Sequence, residues 1–120
     1  MLKVELDPRT RTVLLEPEGP LSQQDFESLA QLVDPLINEA GELNGVLVHT
    51  RQFPGWDSFA AFMAHIRFIK RHHRHVKKVA LSINSPWGKR AAKLASHWLA
   101  AQIKIFPYEE LTQAKRWLGP

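Results

Sequence analysis

The sequence predicts an α/β protein with a mixed, mostly parallel β-sheet. Short apolar strand patterns alternate with longer helical patterns in the order ββαβαβαβα. Repeated alternation of strand and helix implies parallel strands joined by right-handed crossovers. The turn sequence Asp7-Pro8-Arg9-Thr10 separates the first two strand patterns. It predicts an opening hairpin, which adds one antiparallel strand to the sheet.

Five segments have the patterns of strands. Residues 2–6 alternate polar and apolar side chains, and residues 12–16 follow the turn as the second half of the hairpin. Val46, Leu47 and Val48 are apolar throughout, which is typical of a strand covered on both faces. Residues 76–83 and 102–106 provide the last two strands.

The first helix has the clearest signals at its ends. Ser22 is a suitable N-cap, and Asp25 three residues later completes a capping-box pattern. Gly41 is the expected end of the helix. Pro35 lies inside the apolar stripe, so we expect it to kink the helix or to end its regular part near Val33.

Three more helices are predicted. The second runs from about Asp57 to Arg71, with Asp57 as its expected cap. The third begins after Ser85 with Pro86 in the favoured first position. The closing helix covers residues 108–118. The buried face of the third helix is expected to contain Ala91, Leu94, Ala95, Trp98 and Leu99.

Composition is that of a folded protein. The 120 residues fit one domain, spanning 1–120, with a real core, and 44% hydrophobic content argues against disorder. The absence of cysteine excludes disulfides, thiolate chemistry and Cys-based metal sites. No apolar run approaches the ~20 residues of a membrane span, and the N-terminus lacks a signal-peptide core. We therefore expect a cytoplasmic protein.

The segment from Gly45 to Arg74 is the most informative part of the sequence. It leads from a strand through a Pro-Gly-Trp turn into an aromatic-rich helix. Open α/β sheets bind ligands beyond the carboxyl ends of their strands, which is where this turn is expected. The aromatic residues of the segment are Phe53, Trp56, Phe59 and Phe62. Either neighbouring helices cover them, or they line an apolar ligand cavity.

The second helix is predicted to have two apolar faces. Its main face contains Phe59, Phe62, Met63, Ile66 and Ile69. Phe68 and Ala61 form a second patch, which either packs internally or meets a partner or membrane. His65 borders the main face and is interpreted as a hydrogen-bonded boundary residue, whereas His49 ends the third strand at the expected pocket edge.

A basic cluster follows this helix. Its members are Lys70, Arg71, His72, His73, Arg74, His75, Lys77 and Lys78. Cations at a helix C-terminus complement the dipole, but that accounts for only some of these charges. The cluster is expected at the sheet edge opposite the pocket, where an anionic membrane or an acidic protein would bind. We expect no nucleic acid, because no recognised binding motif is present, and no metal, because the histidines lack ligand spacing.

The start of the third helix is the second candidate for ligand contact. Trp87 lies in its first turn, beside Lys89 and Arg90. Cations at a helix N-terminus oppose the dipole, and a bound phosphate, carboxylate or lipid head group would remove that conflict. The alternative is solvated surface charge. No catalytic motif is found, so we expect no enzyme activity and no cofactor.

The chain resembles the SpoIIAA-like proteins. These are small bacterial domains related to the STAS fold and to the lipid-binding CRAL-TRIO (SEC14-like) fold. The matching stretches are FPGWDSFAAFMAHIRFIKRHH, the KKVAL strand, Trp87 and the closing FPYEELTQAKRWL. The resemblance implies helices packed on a mixed sheet, an apolar cavity, lipid or membrane association, and a homodimer. In STAS-type anti-sigma-factor antagonists a serine is phosphorylated in Asp-Ser-Ser-Gly. Here Phe59 occupies that serine's place, which argues against the phospho-switch and leaves Ser58 as the remaining candidate.

Two functional hypotheses follow. The leading one is a non-enzymatic module for an apolar or amphipathic, lipid-like molecule, placed in the cytoplasm or peripherally at the inner membrane. Its ligand-binding residues would be Phe53, Trp56, Phe59, Phe62, Trp87, Lys89 and Arg90. The alternative is a protein-interaction regulator without the phospho-switch. Its membrane or partner surface would contain Phe68, Lys70, Arg71, His72, His73 and Arg74.

Overall fold

The computed structural model describes residues 1–119, apart from the side chain of Trp87. Its elements follow the predicted order. The strands are β1 (Leu2–Asp7), β2 (Thr12–Pro17), β3 (Leu43–His49), β4 (Val76–Ser82) and β5 (Gln102–Phe106). The helices are α1 (Gln23–Ala40), α2 (Phe59–His72), α3 (Pro86–Ala95) and α4 (Leu111–Leu118). A 3₁₀ turn, His73–His75, joins α2 to β4.

The five strands form one sheet in sequential order, β1-β2-β3-β4-β5. β1 pairs antiparallel with β2, and the remaining pairs are parallel, as predicted. One register row runs through Val13, Val46, Val79 and Ile103. Because neighbouring residues of a strand point to opposite faces, these four side chains lie on one side of the sheet. The side chains of the next residue in each strand lie on the other side.

Helices cover both faces of the sheet. Val13 packs with Leu29 and Val33 of α1 in the larger core cluster. On the other face, Leu47 packs with Leu118 of α4 in a second cluster. Right-handed crossovers between successive parallel strands place α1, α2 and α3 on the first face, so α4 alone covers the second.

The ends of α1 are as predicted, whereas the cap of α2 is not. The Ser22 hydroxyl accepts from the Asp25 amide, and the Asp25 side chain accepts from the Ser22 amide, which completes the capping box. α1 continues through Pro35 to Ala40 and ends at Gly41. In α2 the cap is Ser58 rather than Asp57, because the Ser58 hydroxyl accepts from the Ala61 amide at 3.0 Å.

The packed face of α2 differs from the predicted one. Its buried residues are Ala61, Ala64 and His72. The Phe68 ring lies 6.4 Å from that of Phe26 on α1. The predicted main stripe is exposed at Phe59 and half-buried at Phe62, Met63, Ile66 and Ile69. Small residues bring α2 close to α1, and this neighbour rather than the larger apolar stripe determines the helix's orientation.

Candidate functional site

The aromatic turn is held at the start of α1 by backbone pairing. The Leu21 amide donates to the Gly55 carbonyl oxygen at 2.9 Å, and the Asp57 amide donates to the Leu21 carbonyl oxygen at 2.9 Å. Gly55 has a φ of 82°, in the left-handed region that glycine adopts without strain. These contacts fix the position of Trp56 beyond the carboxyl end of β3, as the sequence predicts.

Four of the aromatic side chains around this turn form a compact aromatic cluster with His65. Trp56 meets Phe53 edge-on at 5.1 Å and Phe62 edge-on at 4.7 Å. His65 stacks on Phe26 with 4.7 Å between ring centroids. We use the name aromatic cluster for Phe26, Phe53, Trp56, Phe62 and His65. In this conformation these rings contact one another, and offset or edge-on pairs of this kind stabilise the fold.

His65 is the polar member of the aromatic cluster. Its Nδ1 accepts a hydrogen bond from Nε1 of Trp56 at 3.1 Å. Burial lowers the pKa of His65 to about 4, because a charged imidazole would lose its hydration there. A neutral His65 agrees with its acceptor role. The sequence prediction of a hydrogen-bonded boundary histidine is confirmed.

Phe59 stands apart from the aromatic cluster. It is 76% exposed at the first position of α2, although its ring centroid is 6.1 Å from that of Phe62. An exposed phenylalanine at a helix start is available to a ligand, a partner or solvent. Its role as a ligand-binding residue stays a prediction.

An open groove lies between α3 and β5. Its volume is about 450 Å³, within the range of small-molecule sites. The residues that line it are Lys89, Ala92, Lys93, Ser96, Ile103, Lys104 and Ile105. We call it the α3–β5 groove. Of the sequence-predicted ligand residues, Lys89 lies here; Arg90 is exposed beside it, and the side chain of Trp87 is outside the described residues.

The groove is open because α3 covers the sheet only in part. Leu94 is 66% exposed and Trp98 is 79% exposed, and Ala91 is exposed as well. The predicted buried face of α3 is therefore wrong at these positions. Ala92 is the buried residue that faces β5, and its small side chain leaves space above Ile103 and Ile105. Sequence periodicity could not find this groove, because its walls belong to two different elements of the chain.

Some residues of the predicted membrane or partner surface are exposed in the structure, and others are not. Lys70, Arg71 and Arg74 are exposed, and His73 is half-buried. The prediction of an exposed surface is wrong for Phe68 and His72. Phe68 is half-buried and packs against the larger core cluster, and His72 is buried beneath the end of α2.

The other two cations of the basic cluster are engaged elsewhere. Lys77 pairs with Glu42 at 3.4 Å, while Lys78 donates to the Trp117 carbonyl oxygen at 3.0 Å on the α4 face. The exposed positive charge is therefore concentrated at the end of α2. This end contacts the segment after α3, since the Ala100 amide donates to Nδ1 of His73 at 3.0 Å.

A small interior cavity lies under α2. Its volume is about 20 Å³, enough for one water molecule at most. It is lined by Val13, Leu15, Leu29, Val33, Leu43, Val46, Phe68, His72 and Val76. In this conformation the cavity is far smaller than a lipid-like molecule.

His49 takes part in a contact that the sequence did not indicate. Its Nδ1 lies 3.2 Å from a Glu16 carboxylate oxygen, and its Nε2 lies 3.0 Å from the Tyr108 carbonyl oxygen. The imidazole also stacks on the Tyr108 ring at 4.2 Å. His49 therefore joins β2, β3 and the β5–α4 turn at the carboxyl edge of the sheet, with both ring nitrogens occupied.

Comparison with known proteins identifies the family. A family model described as SpoIIAA-like matches residues 12–119. The chain belongs to the SpoIIAA-like family. The crystal structure of an uncharacterised protein of the DUF3478 family from Shewanella loihica PV-4, with a SpoIIAA-like fold, matches with a TM-score of 0.76 at 20% identity. The match covers 98% of this chain and 92% of that one. No curated protein matches the chain.

The SpoIIAA-like fold agrees with the predicted architecture. Among residues 1–119, no three His, Cys, Asp or Glu side chains are grouped so that they could hold a metal ion. No helix within the same range has the length and apolar character needed to span a bilayer. Ser58, the remaining candidate for modification, is exposed but has its hydroxyl engaged in capping α2.

Proposed function

We propose that this SpoIIAA-like domain is a non-enzymatic module that binds an amphipathic anion in the α3–β5 groove. The observation that carries the proposal is the groove's combination of an apolar floor with cations on one wall. Ile103 and Ile105 provide the floor. Lys89 and Lys93 are one helical turn apart on the wall. An alkyl chain with a carboxylate or phosphate head has the matching chemistry.

The energetic reasoning favours an amphipathic ligand over a purely polar one. Each methylene that leaves water for the isoleucine floor contributes about 0.8 kcal/mol. The lysines are solvated, so their attraction for the anion is modest and sensitive to salt. We expect the alkyl chain to provide most of the affinity and the lysines to fix its orientation.

The groove residues support binding rather than catalysis. The hydroxyl of Ser96 donates to the Lys93 carbonyl oxygen at 2.6 Å, so a backbone acceptor rather than a base holds its proton. A nucleophilic serine requires a base within hydrogen-bond reach.

Titration of the isotope-labelled protein with decanoate, followed by amide NMR, tests the proposal. We expect saturable shifts confined to residues 89–96 and 103–105, and weaker binding of decanol. The double charge reversal Lys89→Glu, Lys93→Glu should abolish the decanoate shifts. Lys3→Glu, an exposed change on β1 at the other sheet edge, is the matched control and should bind as the wild type does.

The same titration also tests the site predicted from sequence. Shifts centred on Phe53, Trp56, Phe59 and Phe62 would move the ligand to the aromatic side of α2 and overturn the groove assignment. No saturable shift at either place would overturn the binding function itself.

A second function, contact with an anionic membrane, is favoured by the exposed apolar residues of α3 and of the turn that follows it. Leu94 and Trp98 are exposed, and the turn that follows them contacts His73 of the basic cluster. An exposed tryptophan beside cations suits the interface of an anionic bilayer. Sedimentation with phosphatidylcholine vesicles, with and without phosphatidylglycerol, tests this function.

In that assay the double change Leu94→Ser, Trp98→Ser should reduce recovery with anionic vesicles, while Leu32→Ser, at an exposed apolar residue of α1, serves as the matched control. Equal recovery with neutral vesicles would contradict the electrostatic part of the proposal. A protein partner and a homodimer stay predictions, and light scattering coupled to gel filtration tests the homodimer.

A further inference from the structure

His72 is a buried side chain whose two ring nitrogens both face oxygen acceptors. Nδ1 lies 2.7 Å from the Phe68 carbonyl oxygen, one turn earlier in α2. Nε2 lies 2.7 Å from Oδ1 of Asp34, on α1. The contact with Asp34 joins the C-terminal end of α2 to the middle of α1, across 38 residues of sequence.

These two partners determine the hydrogens on the ring. A backbone carbonyl and an ionised carboxylate accept hydrogen bonds and donate none. A neutral imidazole has one hydrogen, so one of its nitrogens would place a lone pair against an oxygen at 2.7 Å. Both distances are in the range of charge-assisted N–H···O bonds. Both contacts are hydrogen bonds at the same time only if both nitrogens of His72 carry a hydrogen, which makes the side chain an imidazolium.

Burial among apolar residues disfavours a charged imidazole, so the charge on His72 depends on the groups that contact it directly. The Phe68 ring stacks on His72 at 4.0 Å between centroids, and an aromatic face attracts a cation. The sheet residues that line the cavity beside it, including Val13, Val46 and Val76, are apolar. Asp34 is thus the charged group that faces His72 from a neighbouring element. Lys70 and Arg71 of its own helix are exposed.

We infer that His72 is a proton-dependent latch between α1 and α2. While it is protonated, it holds the Asp34 carboxylate and the Phe68 carbonyl at the same time. Loss of one proton leaves one of these two acceptors without a donor, and the end of α2 is then held less firmly on α1. This regulatory role is independent of the ligand-binding function proposed above.

The neighbouring His73, by contrast, needs an unprotonated ring nitrogen for its hydrogen bond. Its Nδ1 accepts from the Ala100 amide, so this nitrogen is unprotonated. Adjacent histidines thus fasten the end of α2 to two different elements in opposite protonation states. Acid weakens the contact with the α3–β5 connection, whereas base weakens the contact with α1.

Side-chain ¹⁵N NMR of the full chain tests the assignment directly. Spectra are recorded at about pH 6, close to the ordinary pKa of histidine, and then at higher pH. At about pH 6 we expect both nitrogens of His72 to have imidazolium shifts and Nδ1 of His73 to be unprotonated. An unprotonated nitrogen on His72 at that pH would overturn the inference.

Hydrogen exchange tests the latch. In Asp34→Asn, amides 68–75 should exchange about tenfold faster than in the wild type at about pH 6, the factor expected for loss of a charge-assisted bond. That ratio should fall toward one as pH rises through the deprotonation of His72. A ratio that does not change with pH would assign Asp34 a merely structural role. Asp57→Asn, an exposed change at the other end of α2, is the matched control.

Discussion

The indole N–H of Trp56 donates to Nδ1 of His65 at 3.1 Å, across the turn that leads into α2. The two residues also have neighbouring rings, with 5.9 Å between centroids. A histidine thus acts as the hydrogen-bond acceptor inside the aromatic cluster. Since protonation of Nδ1 would remove this acceptor, the hydrogen bond between the turn and α2 forms only while this nitrogen is unprotonated.

The first prediction concerns acid stability. The pKa of His65 is about 4 in the folded protein and about 6.5 when unfolded. As pH falls from 6.5 to 4, the unfolded chain takes up a proton that the folded chain excludes, so the free energy of unfolding decreases. The decrease should reach about 3 kcal/mol and should be absent above pH 6.5. Urea unfolding measured across this range checks it.

His65→Phe provides the control for this effect. The variant retains an aromatic ring but has no group that titrates there, so its stability should vary less between pH 6.5 and 4. Parallel curves for the variant and the wild type would contradict the prediction.

A second prediction concerns the Trp56–His65 hydrogen bond. Trp56→Phe removes the donor and leaves an unpaired acceptor, so the free energy of unfolding should fall by about 1–2 kcal/mol near neutral pH. The same change in the His65→Phe background no longer breaks this bond. Chemical denaturation of the four proteins gives the coupling energy, and a value near zero would show that the bond contributes nothing to stability.

The third prediction concerns the close approach of α4 to the sheet. A Cβ added to Gly45 would lie 2.5 Å from Cδ2 and 3.2 Å from Cβ of Leu118. Gly45→Ala should therefore destabilise the protein by about 1–3 kcal/mol through overpacking. In a Leu118→Ala background most of this cost should disappear, because the obstructing atoms are gone. Equal costs in both backgrounds would show that contact with Leu118 is not the source of the destabilisation.

A fourth prediction tests the exposure of Trp98, in the turn after α3. Trp98→Ser should change the free energy of unfolding by less than about 0.5 kcal/mol, because its side chain is 79% exposed. Leu47→Ala, at a fully buried position of β3, should cost about 2–5 kcal/mol. A large loss of unfolding free energy for Trp98→Ser would indicate that this side chain is buried, as the sequence predicts.

The fifth prediction tests the capping role of Ser58. If its hydroxyl mainly caps α2, Ser58→Ala should cost about 1 kcal/mol, while Ser58→Asp should cost little because aspartate is also a good N-cap. Thermal unfolding monitored by circular dichroism measures both. A severe loss in Ser58→Asp would show that a negative charge is not accepted at this position.

The sequence predicted helix ends correctly, because these depend on interactions within a few residues. Ser22, Asp25 and Gly41 mark the ends of α1 because caps satisfy backbone groups within one turn. Ser85 and Pro86 mark the start of α3 for the same reason. The α2 face was predicted wrongly because periodicity identifies apolar stripes but not the neighbour that selects between them.

The candidate site shows the same division between local and distant information. The sequence placed Phe53, Trp56 and Phe62 together because they are close along the chain. It missed the groove between α3 and β5, since a partly covered sheet has no signature in either segment. Nor could it pair His49 with Glu16, since these residues are 33 positions apart.

The sequence by itself determined the order and type of the elements, the mixed sheet and the likeness to the SpoIIAA-like family. These depend on periodicity, caps and turns, which act over a few residues. Only the tertiary structure decided which face of α2 is packed, how much of α3 is exposed, and which acceptors surround His72. Asp34 and Phe68 reach that ring because α1 and α2 dock on the same face of the sheet, a consequence of packing between elements far apart in the chain.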